Sequence, residues 1–155
     1  MKRSTTNEVR AAPAPVAGEC VCVTLRRAAR ALSQVYDEAL ASSGLRITQF
    51  SLLRGIARLE PVSIGDLAQM QVLDRTTMSR NLAPLERAGL VRQAPGDDRR
   101  TSQVQVTPAG HAAIARALPL WRKAQRRIRQ EFGDASLGQL RALNAKAEAL
   151  AEQMR

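Results

Sequence analysis

The stretch VSIGDLAQMQVLDRTTMSRNLAPLERAGL, residues 62–90, predicts two short helices joined by a tight connection. Ser63 can cap a helix that begins at Ile64, and Asp66 lies three positions after Ser63, as in a capping box. This first helix is short, because a second capping residue, Asp74, follows soon after it.

The second helix is predicted to follow Asp74 and to end at Gly89, the residue type that most readily takes the left-handed conformation after a helix. Met78, Leu82 and Leu85 form its apolar stripe. The opposite face carries short polar or basic side chains, which are Arg75, Thr76, Thr77, Ser79, Arg80 and Asn81.

Side chains of this kind near a helix N-terminus can reach base edges in a major groove and contact flanking phosphates. A helix-turn-helix is one interpretation, and an ordinary helical hairpin with a solvated polar face is the other. Pro84 interrupts the pattern, because proline costs about 3 kcal/mol in a helix interior. We still predict one helix, because the apolar stripe continues through Leu85.

The composition points to one globular domain with a polyanionic partner. A chain of 155 residues, 45% of them hydrophobic, can build one domain with a real core. The net charge is +10, from 24 basic and 14 acidic residues, which favours nucleic acid as the partner. No apolar run approaches the ~18 residues of a membrane span, and the N-terminus lacks a signal-peptide core. We therefore expect a cytoplasmic protein with no membrane partner.

The residue types needed for catalysis or metal binding are not grouped in this sequence. The two cysteines form only a C-x-C pair, and His111 has no second metal ligand near it. Adjacent carboxylates such as Asp97 and Asp98 do not resemble the separated pair of an acid–base site. We expect no enzyme activity, no cofactor and no metal.

The rest of the chain divides into a tail and one domain. Residues 1–18 are rich in Pro, Ala and charge and are predicted to be a mobile tail, while residues 19–155 form the domain. An amphipathic helix is expected at about 20–42. The next helix, capped by Thr48, leads towards Leu59.

After the central pair the hydrophobic period falls from about 3.6 to about two residues. LVRQ, a polar turn APGDDRR, and SQVQV predict a two-stranded hairpin, which after a helix-turn-helix is a wing. Thr107 and Pro108 suit the start of a long helix that runs to about Phe132, with its one kink at Pro119. A last helix is predicted after Gly133.

The last two helices carry narrow apolar seams. In the last helix the seam residues are Leu140, Leu143, Ala147, Leu150 and Met154. In the helix before it they are Ala113, Ala117, Leu120, Ala124 and Ile128. Such seams suit either an intramolecular hairpin or a dimer interface, and we favour the dimer because the first helix also needs a partner surface.

A basic run lies in the same region and contains Arg122, Lys123, Arg126, Arg127 and Arg129. It either approaches a phosphate backbone or forms the solvated face of a dimer helix. We favour the solvated face.

The segments LDRTTMSRNLAPLERAGLV and DDRRTSQVQVTPAG closely resemble the MarR family of winged-helix transcription factors, over about residue 20 to the C-terminus. The most specific part is the wing motif, here Asp98, Arg100, Thr107 and Gly110. The resemblance implies a homodimer on pseudo-palindromic double-stranded DNA, with Arg100 in the minor groove and Asp98 orienting it. A local salt bridge in the turn is the alternative for these two residues.

The expected fold is mainly α with a small β-hairpin wing. The winged helix-turn-helix should span about 46–107, and dimerisation helices about 20–42 and 108–155. The expected function is a dimeric, sequence-specific regulator, a repressor released by a ligand or by thiol oxidation, and the alternative is a non-specific architectural DNA-binding protein. The expected DNA contacts are Arg75, Thr76, Thr77, Ser79, Arg80, Asn81, Arg99 and Arg100.

The resemblance also suggests a redox site at Cys22, which matches the reactive cysteine of the family's organic-hydroperoxide-sensing branch. Tyr36 matches one tyrosine of that branch, whereas Arg26 and Ile47 replace two others. Arg26 and the start of a helix would favour the thiolate, and Cys20 is a possible resolving thiol. The alternative is a buried cysteine that acts as a small apolar side chain.

Overall fold

The computed structural model describes residues 20–96 and 102–154, which form five helices and a small sheet. The elements in chain order are α1 (Val21–Leu40), a short 3-10 turn (Ala41–Ser43), α2 (Ile47–Leu59), β1 (Val62–Ser63), α3 (Ile64–Met70), α4 (Arg75–Arg87), β2 (Val91–Pro95), β3 (Ser102–Val106) and α5 (Pro108–Gln153). The chain separates into two compact units, Met1–Leu32 and Ser33–Arg155. The mainly helical fold with a β wing is confirmed.

The wing strands belong to a three-stranded antiparallel sheet with the order β1, β3, β2. Val62 pairs with Val104, and Val91 pairs with Val106. The prediction of a two-stranded hairpin was therefore incomplete. The missing strand is only two residues long, so it has no alternation that could reveal it.

Local capping residues begin the helices at three of the predicted places. Ser63 Oγ accepts a hydrogen bond from the Asp66 amide at 3.0 Å, and Thr107 Oγ1 accepts one from the Gly110 amide at 3.1 Å. Asp74 caps α4 in the same way. These bonds satisfy amides that a helix N-terminus otherwise leaves without a partner.

The predicted cap of α2 was wrong. Thr48 lies inside the first turn, and Arg46 is the N-cap residue. The Ile47 amide instead donates to Asp37 Oδ1 at 2.6 Å, and the Arg46 amide donates to Gln49 Oε1 at 3.0 Å. A carboxylate from α1 therefore fixes where α2 begins.

A single apolar core joins the helices of the second unit to the sheet. Its fully buried side chains are Phe50, Leu40, Leu53, Ile56, Leu67, Met78, Leu82, Leu85 and Val104. Each buried side chain of this size contributes about 1.5–3 kcal/mol. Because α2, α3, α4 and β3 all supply residues, the core holds α4 in a fixed orientation against the wing.

A polar junction links the wing to α2 and α5. Glu60, which follows α2, accepts the Val106 amide at Oε2 at 2.6 Å, and its Oε1 lies 3.2 Å from His111 Nε2. Thr107 donates its hydroxyl to the Gly89 carbonyl at 2.6 Å. These contacts fix the base of β3 next to the end of α4.

The backbone of α5 leaves the helical region at Gly133, where φ is 73° and ψ is 155°. This agrees with the predicted break between two helices. The predicted kink at Pro119 is not marked by non-helical dihedral angles. The change of direction therefore comes from glycine, which accepts a positive φ without a steric penalty.

The two predicted seams of α5 differ in burial. In the first seam Ala113, Ala117, Ala124 and Ile128 are buried, and Leu120 is partly buried. After Gly133 the seam is exposed, with Leu140 and Leu143 at 43%, Leu150 at 59% and Met154 at 81% exposure. The intramolecular hairpin that would have covered this second seam is therefore not present among the described residues.

Candidate nucleic-acid interface

The first turn of α4 is held by Asp74. Its Oδ1 accepts the Thr77 amide at 2.8 Å, and its Oδ2 accepts the Thr77 hydroxyl at 2.6 Å. The hydrogen bonds from Thr77 lower the pKa of Asp74 below its usual range. The helix therefore begins at Arg75 with its predicted polar residues in the first two turns.

One face of α4 is entirely buried. Met78, Leu82 and Leu85 each have 0% exposure, as the predicted stripe requires. Pro84 lies inside the helix without ending it, and the backbone turns at Gly89 with a φ of 68°. With the apolar stripe fixed in the core, the opposite side of the helix is directed to solvent.

The solvent side of α4 carries the six predicted contact residues. Arg75, Thr76, Ser79, Arg80 and Asn81 are exposed, while Thr77 is partly buried. The Ser79 hydroxyl donates to the Arg75 carbonyl at 2.9 Å, and the Thr77 hydroxyl is already bound to Asp74.

The hydroxyl protons of Thr77 and Ser79 are thus used within the helix itself. The side chains of Arg75, Arg80 and Asn81 make no hydrogen bond or ion pair with any residue in 20–96 or 102–154. Arginine donates to guanine and asparagine pairs with adenine in the major groove, so these side chains are the ones able to read base edges.

A cleft of about 570 Å³ lies beside α4. Its walls come from the end of α3, from α4 and from the start of α2, and include Arg46, Gln49, Gln71, Arg80 and Asn81. The sequence interpretation did not connect α2 with the polar face of α4. The cleft places Arg46 beside Arg80 and Asn81, although its lining also includes the apolar residues Ile47, Leu52 and Leu73.

The wing is tied to α4 by side chains. Gln93 on β2 donates to Glu86 on α4 at 3.0 Å, and Arg92 donates to Gln105 on β3 at 2.7 Å. Arg92 is exposed and was not among the predicted contacts. The predicted wing residues Asp98, Arg99 and Arg100 lie outside the described residues.

Both candidate redox cysteines are exposed, with Cys20 directly before α1 and Cys22 in its first turn. Neither cysteine is buried by the described residues of its own chain. The Cys20 carbonyl accepts the Thr24 amide at 3.1 Å. Because Cys20 is outside the helix, its orientation is not fixed by helical dihedral angles.

Tyr36 donates its hydroxyl to Gln125 Oε1 at 2.5 Å. Partial burial raises the pKa of Tyr36 above its usual value. A tyrosine hydroxyl has one proton to donate, and Gln125 receives it. Tyr36 would have to give up this bond before it could donate to a thiolate.

No three His, Cys, Asp or Glu side chains in 20–96 and 102–154 are grouped so that they could hold a metal ion. In the same part of the chain, no helix is both long and apolar enough to cross a membrane.

Comparison with known proteins places this arrangement of elements in one family. Residues 43–101 match the model of the MarR family. The chain is 42% identical to the Mycobacterium tuberculosis transcriptional regulator MosR, solved in complex with DNA, and the match covers 88% of this chain and 99% of that one with a TM-score of 0.79.

Two further relatives agree with this. The transcriptional regulator PecS of Dickeya dadantii is 26% identical over 129 residues, which is 81% of this chain and 78% of PecS. The crystal structure of MarR matches with a TM-score of 0.69 at 20% identity, over 92% of this chain and 98% of that one, and so is alike in fold. The named relatives are transcriptional regulators rather than enzymes.

Proposed function

Because the chain belongs to the MarR family of winged-helix transcriptional regulators, we propose that it is a homodimeric, sequence-specific repressor of a pseudo-palindromic operator. The observation that carries the proposal is the two-sided character of α4. Its apolar stripe has no exposure, while Arg75, Arg80 and Asn81 are exposed and their side chains make no hydrogen bond or ion pair with other described residues. The relative MosR was solved with DNA, which supports DNA as the partner.

In this proposal α4 enters the major groove, where Arg75, Arg80 and Asn81 contact base edges. Beside them the Thr76 hydroxyl donates to a phosphate, while the hydroxyl oxygens of Thr77 and Ser79, whose protons are already used within the helix, accept from base amino groups. Arg99 and Arg100 of the wing contact the minor groove, with Asp98 holding Arg100, since guanidinium groups are attracted to the negative potential of a narrow minor groove.

Dimerisation is supported by the exposed second seam of α5. Four large apolar side chains, Leu140, Leu143, Leu150 and Met154, lie uncovered on one helical face. An apolar stripe of this length on a monomer is typical of an interface. A two-fold dimer would present two copies of α4 to two half-sites about one helical turn of DNA apart.

We propose that repression ends when an effector changes the dimer so that it releases the operator. One candidate is a peroxide that oxidises Cys22: the thiolate attacks the peroxide, forms a sulfenic acid and releases an alcohol or water. Cys20 then attacks the sulfenic sulfur, which gives a disulfide and water. The exposure of both thiols and their place at a helix N-terminus support this candidate.

The other candidate effector is a small molecule. The cleft beside α4 has a volume of about 570 Å³, which is within the range of ligand pockets. A ligand in contact with Arg80 and Asn81 would compete directly with DNA.

Mild peroxide distinguishes the two effectors. If Cys22 is the switch, oxidation releases the protein from DNA, dithiothreitol restores binding, and Cys22→Ser abolishes the response without changing DNA affinity. Val23→Ala, an exposed change next to Cys22 on α1 that removes no thiol, serves as the matched control and should keep the response. A Cys22→Ser protein that still leaves DNA on oxidation would exclude the thiol switch.

The function itself is tested by selection of bound duplexes from a random pool. A sequence-specific dimer enriches a sequence with two related half-sites, whose centres are separated by about 10 base pairs or a multiple of that. A non-specific architectural protein enriches no sequence, and that result would replace our proposal with the alternative.

A further inference from the structure

Much of the positive charge of the chain lies on α5 rather than on α4. Residues 108–132 contain six basic residues and one acidic residue, a net +5 out of +10 for the whole chain. The segment Arg75–Arg87 has three basic residues and one acidic residue, a net +2. Base reading by α4 therefore does not account for the larger positive charge of residues 108–132.

The six cations form one surface, which we call the α5 basic band. They are all exposed and are Arg116, Arg122, Lys123, Arg126, Arg127 and Arg129. At about 100° per residue they occupy an arc of about 160°. The centre of this arc is roughly opposite the buried stripe of Ala113, Ala117, Ala124 and Ile128. At a rise of about 1.5 Å per residue the band is about 20 Å long.

The chemistry of the band favours a phosphate backbone over a protein surface. Protein interfaces have an apolar core with aromatic anchors, but the one exposed large apolar side chain in 108–132 is Phe132, which lies beyond Arg129 and outside the arc of the cations. Five of the six cations are arginines, which bind phosphate oxygens in a bidentate manner. About 20 Å of duplex carries about 12 phosphate charges, enough to face all six cations.

A second copy of the chain centred on the band is disfavoured. Where the band lies on the two-fold axis, the same cations of both subunits face each other and repel. Of the six cations in the band, only Arg129 has a carboxylate partner among the described residues. That partner is Asp134, at 3.3 Å. The other five cations keep their charge available for an external anion.

We propose that the α5 basic band is a second DNA-binding surface, which holds the phosphate backbone of a duplex without reading its sequence. It adds affinity for any duplex and leaves discrimination to α4. The inference goes beyond the proposed function, and it holds whether or not the chain recognises an operator.

The test compares two variants with equal net charge. The first is Arg122→Gln, Lys123→Gln, Arg126→Gln and Arg127→Gln, which removes four cations of the band. The control is Arg26→Gln, Arg30→Gln, Arg141→Gln and Lys146→Gln, which removes four exposed cations outside it. Circular dichroism is used to check that both variants keep the wild-type fold, and light scattering to check that they keep the wild-type assembly.

The measured quantity is binding to a labelled random-sequence duplex at several salt concentrations. Each lost phosphate contact lowers the slope of log K against log salt by about 0.9, so the band variant should lose about 3 to 4 units of slope. The control variant should keep the slope of the wild type. Equal slopes for the two variants would overturn the proposal.

Two further measurements distinguish DNA-backbone binding by the band from other roles. On a selected operator and its scrambled version, the band variant should weaken binding by the same factor, and a changed ratio would contradict backbone binding. The second measurement is binding to anionic phospholipid vesicles. Loss of vesicle binding with an unchanged DNA slope would assign the band to a lipid surface instead. A wild type that fails to discriminate the operator contradicts the proposed function but leaves the random-duplex test intact.

Discussion

The carboxylate of Asp74 caps α4 and determines where this helix begins. Its negative charge contributes to the stability of the cap. The amide and the hydroxyl of Thr77 both donate to it, and these bonds lower the pKa of Asp74. A carboxylate with a lowered folded-state pKa stabilises the fold above its unfolded-state pKa. That stabilisation is lost as the pH falls through the folded-state pKa.

We therefore expect Asp74→Asn to lower the free energy of unfolding at neutral pH. Asparagine is an equally good N-cap residue through its one carbonyl oxygen, so the loss reports the charge together with the second bond, which the Thr77 hydroxyl donates to Oδ2. The difference from the wild type should shrink as the pH falls below about 4, the unfolded-state pKa of aspartate. Denaturant unfolding across this pH range measures it. A difference that does not change with pH would show that the charge is unimportant.

Val72 has a positive φ of 53° between α3 and α4 and is 43% exposed. The left-handed conformation costs an L-residue about 1–2 kcal/mol, whereas glycine adds about 0.5–1 kcal/mol of unfolded-state entropy. The first effect is the larger over most of these ranges, so Val72→Gly should raise the free energy of unfolding by up to about 1.5 kcal/mol. Val72→Ala is the control, because it keeps the Cβ. An equal gain from Val72→Ala would contradict this account.

At the scale of elements, the wing and α5 meet where Gly110 passes the backbone of Leu90. A Cβ at Gly110 would lie 2.1 Å from the Leu90 carbonyl oxygen and 2.6 Å from Val106 Cγ1. The backbone cannot give way as a flexible side chain would. Gly110 is thus required by the close approach of α5 to the end of α4.

We expect Gly110→Ala to destabilise the protein by about 3 kcal/mol, the upper end of the usual cost of overpacking. The matched control is Gly138→Ala in the same helix, where a Cβ meets no atom within 4 Å. Gly138→Ala should raise the free energy of unfolding by up to about 1 kcal/mol, because alanine is favoured over glycine inside a helix. Thermal unfolding measures both. Tolerance of Gly110→Ala would mean that the junction is looser than described.

Elements whose ends depend on neighbouring residues could be predicted from the sequence. Ser63, Asp74 and Thr107 each cap a helix through an amide three residues later, so the pattern is visible within four letters. The stripe of α4 was also predictable, because its period places Met78 and Leu82 on one face.

Contacts between distant residues could not be predicted in this way. Asp37 caps α2 from 10 residues away, and Glu60 holds the Val106 amide from 46 residues away. Neither pairing leaves a mark in local spacing. For the same reason the polar face of α4 was predicted, while its neighbour across the cleft, Arg46, was not.

At the scale of the whole molecule, the exposed seam of α5 predicts how two chains assemble. Leu143→Glu with Leu150→Glu places two charges in the seam, where partner contact would bury them at high cost. We expect the dimer to dissociate, and binding to a two-half-site operator to fall far more than binding to random DNA.

Ala142→Glu with Ala149→Glu is the control, because it adds the same two charges on the opposite side of the helix. Analytical ultracentrifugation measures the assembly of both variants. A Leu143→Glu, Leu150→Glu protein that remains a tight dimer would mean that another surface joins the two chains.

The central claim is that the exposed face of α4 reads DNA sequence. Its most direct test is the ratio of the dissociation constants for a scrambled duplex and a selected operator at physiological salt, with Arg87→Ala as a control for the loss of one α4 charge. We predict a wild-type ratio of ~10³ or more. Arg80→Ala should reduce this ratio by about 5-fold to 150-fold, the value of one good base contact, while Arg87→Ala leaves it unchanged. A wild-type ratio near one, or an Arg80→Ala protein that binds both duplexes more weakly by the same factor, would contradict the claim.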